Sequence, residues 1–427
     1  MADNKINYRG VLKELGYRKL LISTMINRFG DSIDAVAFTW LVYQVTHSGA
    51  WSAIIFGMNV LPNVIIQPYA GAVVERLDKK PVIVFTHILR ALLLAVFMVV
   101  YLSGHSSGWI MAVFTFAVTS IESFNMPAGT AFIPRVLKKE MLTCGMSLNT
   151  MMSGVVTLVG TGMAGVIIAK AGLHVAMIID IITFIIAAVI IMTIRDEKEA
   201  AKQLHPLKLE SYLTDMKEGF RYIRSESLIM NYCIIAVVLN LILVPLNALQ
   251  APLVSECYKM GSGLLSVLGI AGSIGGVLGS ALIPIARKRL TIKKIVITCC
   301  IFLGIATVIL PMIGSYLESP VFKDILAGTC FAAITLNAGF ISGVINIEFV
   351  SSVNSKYMAR SSSVFVSLST AVIPVVSMIV GWGRTFLSTS ILICFCGVGT
   401  ILFAMIILVI SPALDKEKEK DYAAETA

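Results

Sequence analysis

The sequence predicts an all-α membrane protein in which twelve transmembrane helices form two pseudo-symmetric six-helix bundles. Of the 427 residues, 57% are hydrophobic and only 14% are charged, whereas a soluble domain carries about 25% charged residues. Twelve stretches reach the length of about 20 largely apolar residues that a span needs. One long polar stretch then divides these twelve spans into six and six.

The twelve predicted spans follow one another with short connections, except after the sixth. They run Arg18–Val45, Ala50–Arg76, Pro81–Ser103, Gly108–Pro134, Leu142–Lys170, Leu173–Ile194, Leu228–Glu256, Ser262–Ala286, Thr291–Gly314, Phe322–Phe349, Tyr357–Trp382 and Thr385–Ile410. The predicted domains are therefore an N-terminal bundle at residues 1–194, a cytoplasmic linker at 195–227, and a C-terminal bundle with a tail at 228–427.

Two patterns support this division. In the linker, apolar residues recur at helical spacing opposite charged ones, which predicts a short amphipathic helix on the inner membrane face. These residues are Tyr212, Met216, Phe220 and Ile223. In addition, the loop after the second span of each half has a similar sequence: Arg76-Leu77 with Lys79-Lys80 recurs as Arg289-Leu290 with Lys293-Lys294.

The distribution of cations predicts the orientation of the chain. The tails and loops on the side of the termini hold 28 of the 34 Lys and Arg residues, and the opposite side holds four. Because cations are retained in the cytoplasm during insertion, both termini are predicted to be cytoplasmic. The net charge of +9 is thus attributed to membrane topology, and nucleic acid is not an expected partner.

The sequence contains no pattern typical of a cofactor, a metal site or an enzyme. The eight Cys residues lie in or beside apolar segments without a CxxC pair, and the His residues, His87 among them, are isolated. No phosphate-binding loop, HExxH pattern or nucleophile–base pair is present. We therefore expect neither a cofactor nor enzymatic activity.

The loop after the second span carries the first recognisable motif. Gly71, Glu75, Arg76, Lys79 and Lys80 match in order a motif of Gly, three residues, an acid, Arg and further basic residues. This loop resembles that between helices 2 and 3 of major facilitator superfamily transporters, with Glu75 in place of the usual Asp. The resemblance implies that these five residues form a conformational latch, in which Gly71 allows close helix approach and Glu75 meets the positive end of another helix.

Other motifs resemble one branch of that superfamily, which contains macrolide-efflux and siderophore-export proteins. They are Gly30-Asp31, Leu61-Pro62, the stretch Pro127-Ala-Gly-Thr-Ala-Phe-Ile-Pro134, and Asp180. The resemblance implies a bacterial plasma membrane, a small-molecule solute and a structural role for Asp180. Gly160-Thr-Gly162-Met-Ala-Gly165 also resembles the Gly-Pro-rich stretch of exporters, although it lacks the Pro.

Charged residues inside the spans are the candidates for coupling transport to protons, because charges at mid-bilayer are costly. Asn27, Asp31, Asp34 and Phe38 form one stripe of the first span. Arg28 can pair with Asp31, and Arg90 with Glu122. Two interpretations remain open: carboxyl groups that carry a coupling proton, or buried ion pairs that fix helix positions. The residues proposed for proton coupling or cavity charge are Asp31, Asp34, Glu122, Arg28 and Arg90.

Polar residues and glycines supply the remaining candidates. Residues predicted to contact the solute are Asn27, Phe38, Asn240, Asn247, Gln250 and Asn337. Glycines predicted to mediate close helix packing, which small residues favour in lipid, are Gly160, Gly165, Gly272 and Gly276. Glu256 and Glu348 lie near span ends, and we expect both to be solvated.

These observations predict a secondary active transporter. The favoured function is proton-coupled export of a hydrophobic or amphipathic small molecule by alternating access, because the spans hold many Met and Phe residues and few charges. Protons and the lipid bilayer are the expected partners, and the chain is expected to act as a monomer. The alternatives are an importer, a lipid or siderophore transporter on the same scaffold, and a transport-inactive membrane sensor.

Overall fold

A computed structural model describes residues 8–194, 217–218, 220–287, 290–354 and 358–410. Over these residues the chain is built from helices, with no strand. The linker residues Tyr212 and Met216, as well as Arg289 of the repeated loop, lie outside the described residues. Residues 220–225 of the linker are helical, with Phe220 exposed and Ile223 fully buried.

Thirteen long helical segments are described. They are α1 (Leu15–Thr46), α2 (Gly49–Ile65), α3 (Gln67–Arg76), α4 (Lys79–Leu102), α5 (Gly108–Val136), α6 (Leu142–Ala171), α7 (Leu173–Met192), α8 (Ser227–Ala248), α9 (Ser262–Arg287), α10 (Ile292–Tyr316), α11 (Pro320–Ser352), α12 (Met358–Gly383) and α13 (Thr389–Ile410). Short segments are Tyr8–Val11, a 3-10 turn at Lys139–Met141, the turn Gln250–Pro252 and a π-helical turn at Leu253–Cys257.

The second predicted span is divided into two helices at Ile66. Pro62 lies inside α2, and Pro68 lies in the first turn of α3. Neither proline can donate a backbone hydrogen bond, and proline in a helix interior commonly kinks or ends it. The chain therefore breaks here, although Ile66 N still donates to Pro62 O at 2.7 Å.

The composition of the helices confirms an all-α membrane fold. Among the described helices, ten are long and apolar enough to cross a membrane. The two predicted spans that are missing from these ten are α1, which carries Arg28, Asp31 and Asp34, and the divided pair α2 and α3. The prediction of twelve spans therefore depends on a charged helix and a broken one.

The chain folds into two compact units. The first comprises Met1–His47 and Met58–Pro206, and the second comprises Ser48–Gly57 and Leu207–Ala427. In the first unit α1 packs against α5, α6 and α7, and in the second α8 packs against α11, α12 and α13. The pairs α4–α5, α4–α7 and α3–α5 likewise recur as α10–α11, α10–α13 and α9–α11. The packing thus repeats between the units, as pseudo-symmetry requires.

Glycines allow the closest helix approach in each unit. A Cβ at Gly160 of α6 would lie 2.8 Å from Ser32 Cβ of α1, and Gly165 is buried. In the second unit a Cβ at Gly272 of α9 would lie 2.8 Å from the Phe331 ring of α11.

The closest contacts of α9 are made by Gly275 and Gly279, which lie in the same span as Gly272 and Gly276. A Cβ at Gly275 would clash with Ala332 O, and one at Gly279 with Leu336 O. A Cβ at Gly276 would meet no described atom within 4 Å, although its backbone touches Gly339 of α11.

Candidate functional site

The stripe of polar residues on α1 begins with a local hydrogen bond. Asn27 and Asp31 are one helical turn apart, and Asn27 Nδ2 donates to Asp31 Oδ2 at 2.8 Å. Asp34 follows on the same face and is half-buried. No described residue forms a hydrogen bond with the Asp34 carboxyl group. Asp34 does lie close enough to Asp31 and Arg90 to interact electrostatically with both.

Arg90 of α4 supplies the cation of this site. Its Nη2 donates to Asp31 Oδ1 at 2.9 Å, and the Arg90 and Asp31 side chains are 7% and 17% exposed. The guanidinium carbon also lies 4.3 Å from the centre of the Phe184 ring. Removing one partner of an enclosed ion pair strongly destabilises the protein, because the other charge stays buried without a partner.

The structure corrects both ion pairs that the sequence predicted. Arg28 is exposed, and among the described residues it forms no ion pair with Asp31. Arg90 pairs with Asp31 and not with Glu122, which is still close enough for an electrostatic interaction. Helix packing accounts for the difference, because Arg90 of α4 is buried, whereas Arg28 is exposed and lines the cavity beside the ion pair.

Asp180 of α7 completes the cluster of acids. Its side chain is only 2% exposed, and Thr183 Oγ1 donates to Asp180 Oδ1 at 3.2 Å. Gly30 of α1 faces this pair, and a Cβ there would clash with both Asp180 and Thr183. Gly30 therefore allows α1 to approach α7 where Asp180 lies. Asp180 also interacts electrostatically with Asp31, Asp34 and Arg90.

A cavity of about 190 Å³ lies within the first unit beside the ion pair. Its polar lining comes from four helices and includes residues that the sequence analysis did not select. The polar side chains around it include Asn27, Asp31, His87, Arg90, Glu122, Asn125 and Asn149. Glu122 is half-buried. Sequence reasoning missed His87, Asn125 and Asn149, although the i to i+3 spacing of His87 and Arg90 places them on one helix face.

Phe38 occupies a different environment from the one predicted. It packs with Phe97 of α4 and Phe114 of α5, with ring centres 5.8 and 5.7 Å away. Phe97 and Phe114 stack on each other at 4.3 Å. The end of the α1 stripe is therefore joined to an aromatic cluster, and only its Asn27 to Asp34 part belongs to the acidic cluster.

A second cavity, of about 400 Å³, lies within the second unit between α8, α11 and α12. Asn240 lines it together with Asn346, Ser342, Ser369 and Thr370. The other predicted solute contacts lie elsewhere. Asn247 is exposed and accepts a hydrogen bond from Gln250 Nε2 at 3.3 Å. Asn337 Nδ2 donates to Ala333 O of its own helix at 2.7 Å.

The predicted latch has contacts that differ from those expected. A Cβ at Gly71 would meet no described atom within 4 Å, so the close approach expected there is absent among the described residues. The helix that contains it, α3, packs chiefly against α5 and only slightly against α4. The side chains of Glu75 and Arg76 lie outside the described set.

The lysines of the latch bind backbone carbonyl groups. Lys79 Nζ donates to Leu77 O and Lys80 Nζ to Ile194 O, both at 2.8 Å. Lys19 Nζ likewise donates to Thr193 O at 3.0 Å. Lys19 and Lys80 thus place two cations just beyond the last residue of α7, where the helix dipole favours positive charge.

Two glutamates expected to be solvated form ion pairs in the second unit. Glu256 accepts from Arg384 Nη2 at 2.5 Å and from Thr389 Oγ1 at 2.7 Å. Glu348 is only 4% exposed and pairs with Arg287. Each carboxylate is stabilised by an arginine from another segment of the chain. The sequence did not predict these pairs, because the partners are far apart along the chain.

Comparison with known proteins identifies the family to which this helical membrane fold with repeated packing belongs. Over residues 11–427 the chain matches the family described as transmembrane secretion effector, and it belongs to that family. The chain is therefore a membrane transporter of the major facilitator superfamily, and macrolide efflux proteins are among its relatives.

Named relatives agree with this assignment, and a solved structure agrees with the fold. Macrolide efflux protein A of Enterococcus faecalis is 23% identical over 76% of this chain and 99% of its own length. The multidrug efflux pump Tap of Mycolicibacterium fortuitum is 25% identical over 68% of this chain and 72% of its own length. The crystal structure of the nucleoside transporter NupG aligns with a TM-score of 0.73 at 14% identity, covering 94% of this chain and 99% of that one.

Proposed function

We propose that this chain is a proton-coupled exporter of hydrophobic or amphipathic small molecules that works by alternating access. The observation that carries the proposal is the Asp31–Arg90 ion pair inside a cluster of four carboxyl groups. Those groups belong to Asp31, Asp34, Glu122 and Asp180, and Arg90 is the cation that interacts with them. The export direction is supported by the relatives named as efflux proteins.

The ion pair provides a route for coupling. Protonation of Asp31 would neutralise the carboxylate and release Arg90 to interact with Glu122 or Asp180. Loss of that proton would restore the Asp31–Arg90 pair. A group that changes its partner with its protonation state can make one conformation more stable than another. In this proposal Asp34 and Glu122 are the further sites at which a proton, or a cationic group of the solute, is held.

The remaining residue assignments are proposals of the same kind. Asn240 contributes to solute binding from the second unit, because it lines a cavity of about 400 Å³. Glu75 and Arg76 are proposed to act as the latch. We also propose that the chain acts as a monomer in the bacterial plasma membrane, with both termini in the cytoplasm.

The test is efflux from proteoliposomes that contain the purified chain, with erythromycin and ethidium as probes and an imposed pH gradient. Wild-type protein should move at least one probe, and a protonophore should abolish the movement. Asp34→Asn and Glu122→Gln should each weaken the dependence on the gradient, whereas Asp78→Asn, at a half-exposed ion pair with Arg135, should not. Movement of neither probe, or unchanged coupling in both acid variants, would contradict the proposal.

A further inference from the structure

The cavity of the first unit contains buried polar atoms without a protein partner. Among the described residues, Asn27 Oδ1, His87 Nδ1 and Arg90 Nε have no hydrogen bond. The residues His87 and Arg90 are only 5% and 6% exposed as a whole, and all three residues line the cavity. A buried polar group that is left without a hydrogen bond destabilises the folded protein. Three of them around one cavity therefore indicate a polar occupant.

The dimensions of the cavity suit water. A volume of about 190 Å³ holds roughly six molecules at about 30 Å³ each. The lining follows α1 from Tyr17 to Asp31, which is about 21 Å at 1.5 Å per residue. The amides of Asn125 and Asn149 add polar groups to the same wall. The cavity therefore extends from Tyr17, in the first turn of α1, to the ion pair.

Two other occupants fit less well. A metal ion is disfavoured, because the described residues contain no group of three or more His, Cys, Asp or Glu side chains suited to hold one. A wholly apolar solute would leave Asn27, His87 and Arg90 unsatisfied. Water satisfies donors and acceptors alike, and buried water typically forms about three hydrogen bonds.

We propose that this cavity holds a file of water that carries protons between Asp31 and the end of α1 at Tyr17, with His87 as the hydrogen-bonding group beside Arg90. The direction of net proton flow rests on the proposed function; the water file itself does not. One proton passes from the Asp31 carboxyl group to the adjacent water, and one proton leaves the water file at its other end. The Asp31 carboxylate then pairs again with Arg90, and nothing is oxidised or reduced.

The charged and aromatic groups around His87 fit this position. Asp31 of α1 and Arg90 of its own helix interact with it electrostatically. Glu122 of α5 lines the same cavity. From α7, the Phe184 ring centre lies 6.1 Å from that of His87. His87 thus lines the cavity close to the ion pair.

The first test is hydroxyl-radical footprinting of the reconstituted protein by X-ray radiolysis, which labels side chains that lie beside bound water. Tyr17 and Tyr232 are a matched pair, because both are tyrosines with 1% and 0% exposure, and Tyr17 lines the cavity. Tyr17 should be labelled several-fold faster than Tyr232. Equal protection of both would show that the cavity is dry and would overturn the proposal.

The second test measures the route of the proton without a solute. In D₂O, infrared bands of the carboxyl groups, assigned with Asp31→Asn and Glu122→Gln, report the rate of proton exchange. His87→Phe should slow this exchange several-fold, and His87→Gln, which keeps a polar group, should restore it. The control His105→Phe changes an exposed histidine and should leave it unchanged.

The outcomes separate this proposal from the transport function. Exchange in His87→Phe at the wild-type rate would overturn the role of His87 and the water route. If exchange follows the expected order but no proton gradient drives efflux, the coupling proposal fails and the water file stands. Labelling of Tyr17 with normal exchange in His87→Phe would place water in the cavity but remove it from the proton path.

Discussion

At the scale of single residues, helix packing decides which cation Asp31 binds. Arg28 is closest in the sequence, but it is exposed, so its charge does not depend on a partner inside the protein. Arg90 is enclosed and contacts the Phe184 ring, so its charge needs a partner inside the protein. Removing one partner of a buried pair costs about 3–5 kcal/mol, whereas replacing both by apolar groups can be nearly neutral.

Asp31→Asn should therefore destabilise the protein, because it leaves the Arg90 guanidinium without its charged partner. We expect a loss of about 3–5 kcal/mol at this enclosed pair, measured as a lower thermal unfolding midpoint in detergent. The double variant Asp31→Asn with Arg90→Met should recover part of the loss, since it removes the buried cation as well.

The matched control is Asp78→Asn. It breaks the 2.9 Å ion pair with Arg135, in which the Arg135 and Asp78 side chains are 32% and 50% exposed. A surface pair contributes about 0–1 kcal/mol, so the unfolding midpoint should barely change. Equal losses in Asp31→Asn and Asp78→Asn would show that burial does not set the strength of the central pair.

The sequence could identify the acids but not their partners. Asp31, Asp34 and Glu122 were recognised because a charge inside a span is costly whichever direction the helix face points. The Asp31–Arg90 pair joins residues 59 positions apart, and Glu256–Arg384 joins residues 128 apart. Such pairs depend on how helices rotate against each other, which spacing within one helix does not determine. His87 was missed for the same reason.

At the scale of helices, the contact between α9 and α11 depends on which glycines face the neighbouring backbone. In lipid, association of helices relies on close packing more than on the hydrophobic effect. Gly275 and Gly279 lie against backbone carbonyl groups of α11, whereas the side-chain position of Gly276 is open. Gly272 and Gly276 indicated a packing helix from the sequence, but the rotation of α9 about its axis determines which glycines contact the backbone of α11.

Gly279→Ala should weaken the second unit, because the added methyl group would clash with Leu336 O. Overpacking typically costs about 1–3 kcal/mol, and backbone atoms cannot move aside as a flexible side chain can. The measurement is the thermal unfolding midpoint together with the yield of monodisperse protein after purification.

Gly276→Ala is the internal control for that experiment, since it adds the same methyl group to the same helix three residues away. Here alanine meets no described atom, and its better helix propensity is worth up to about 1 kcal/mol. The variant should be neutral or slightly stabilised. A larger loss at Gly276 than at Gly279 would contradict the packing described for α9 and α11.

At the scale of the whole molecule, orientation in the membrane connects charge, fold and the direction of transport. In the twelve-span prediction, the side assigned to the termini holds 28 of the 34 Lys and Arg residues. Several of them also have local roles, as Lys19 and Lys80 bind carbonyl groups beyond α7. The proposed orientation places the Tyr17 end of the cavity on the cytoplasmic side. The opposite orientation would reverse the direction of the proposed proton path.

Fusions of alkaline phosphatase, which is active only outside the cytoplasm, test this orientation. Fusions after Gly104, between α4 and α5, and after Gly261, between α8 and α9, should be active. A fusion after Leu137, beside Arg135 and Lys138, should be inactive, because cationic loops resist translocation. Green fluorescent protein at the same sites should give the reverse pattern. Phosphatase activity at Leu137 but not at Gly104 would place the Tyr17 end of the cavity outside the cell, and proton entry would then begin there.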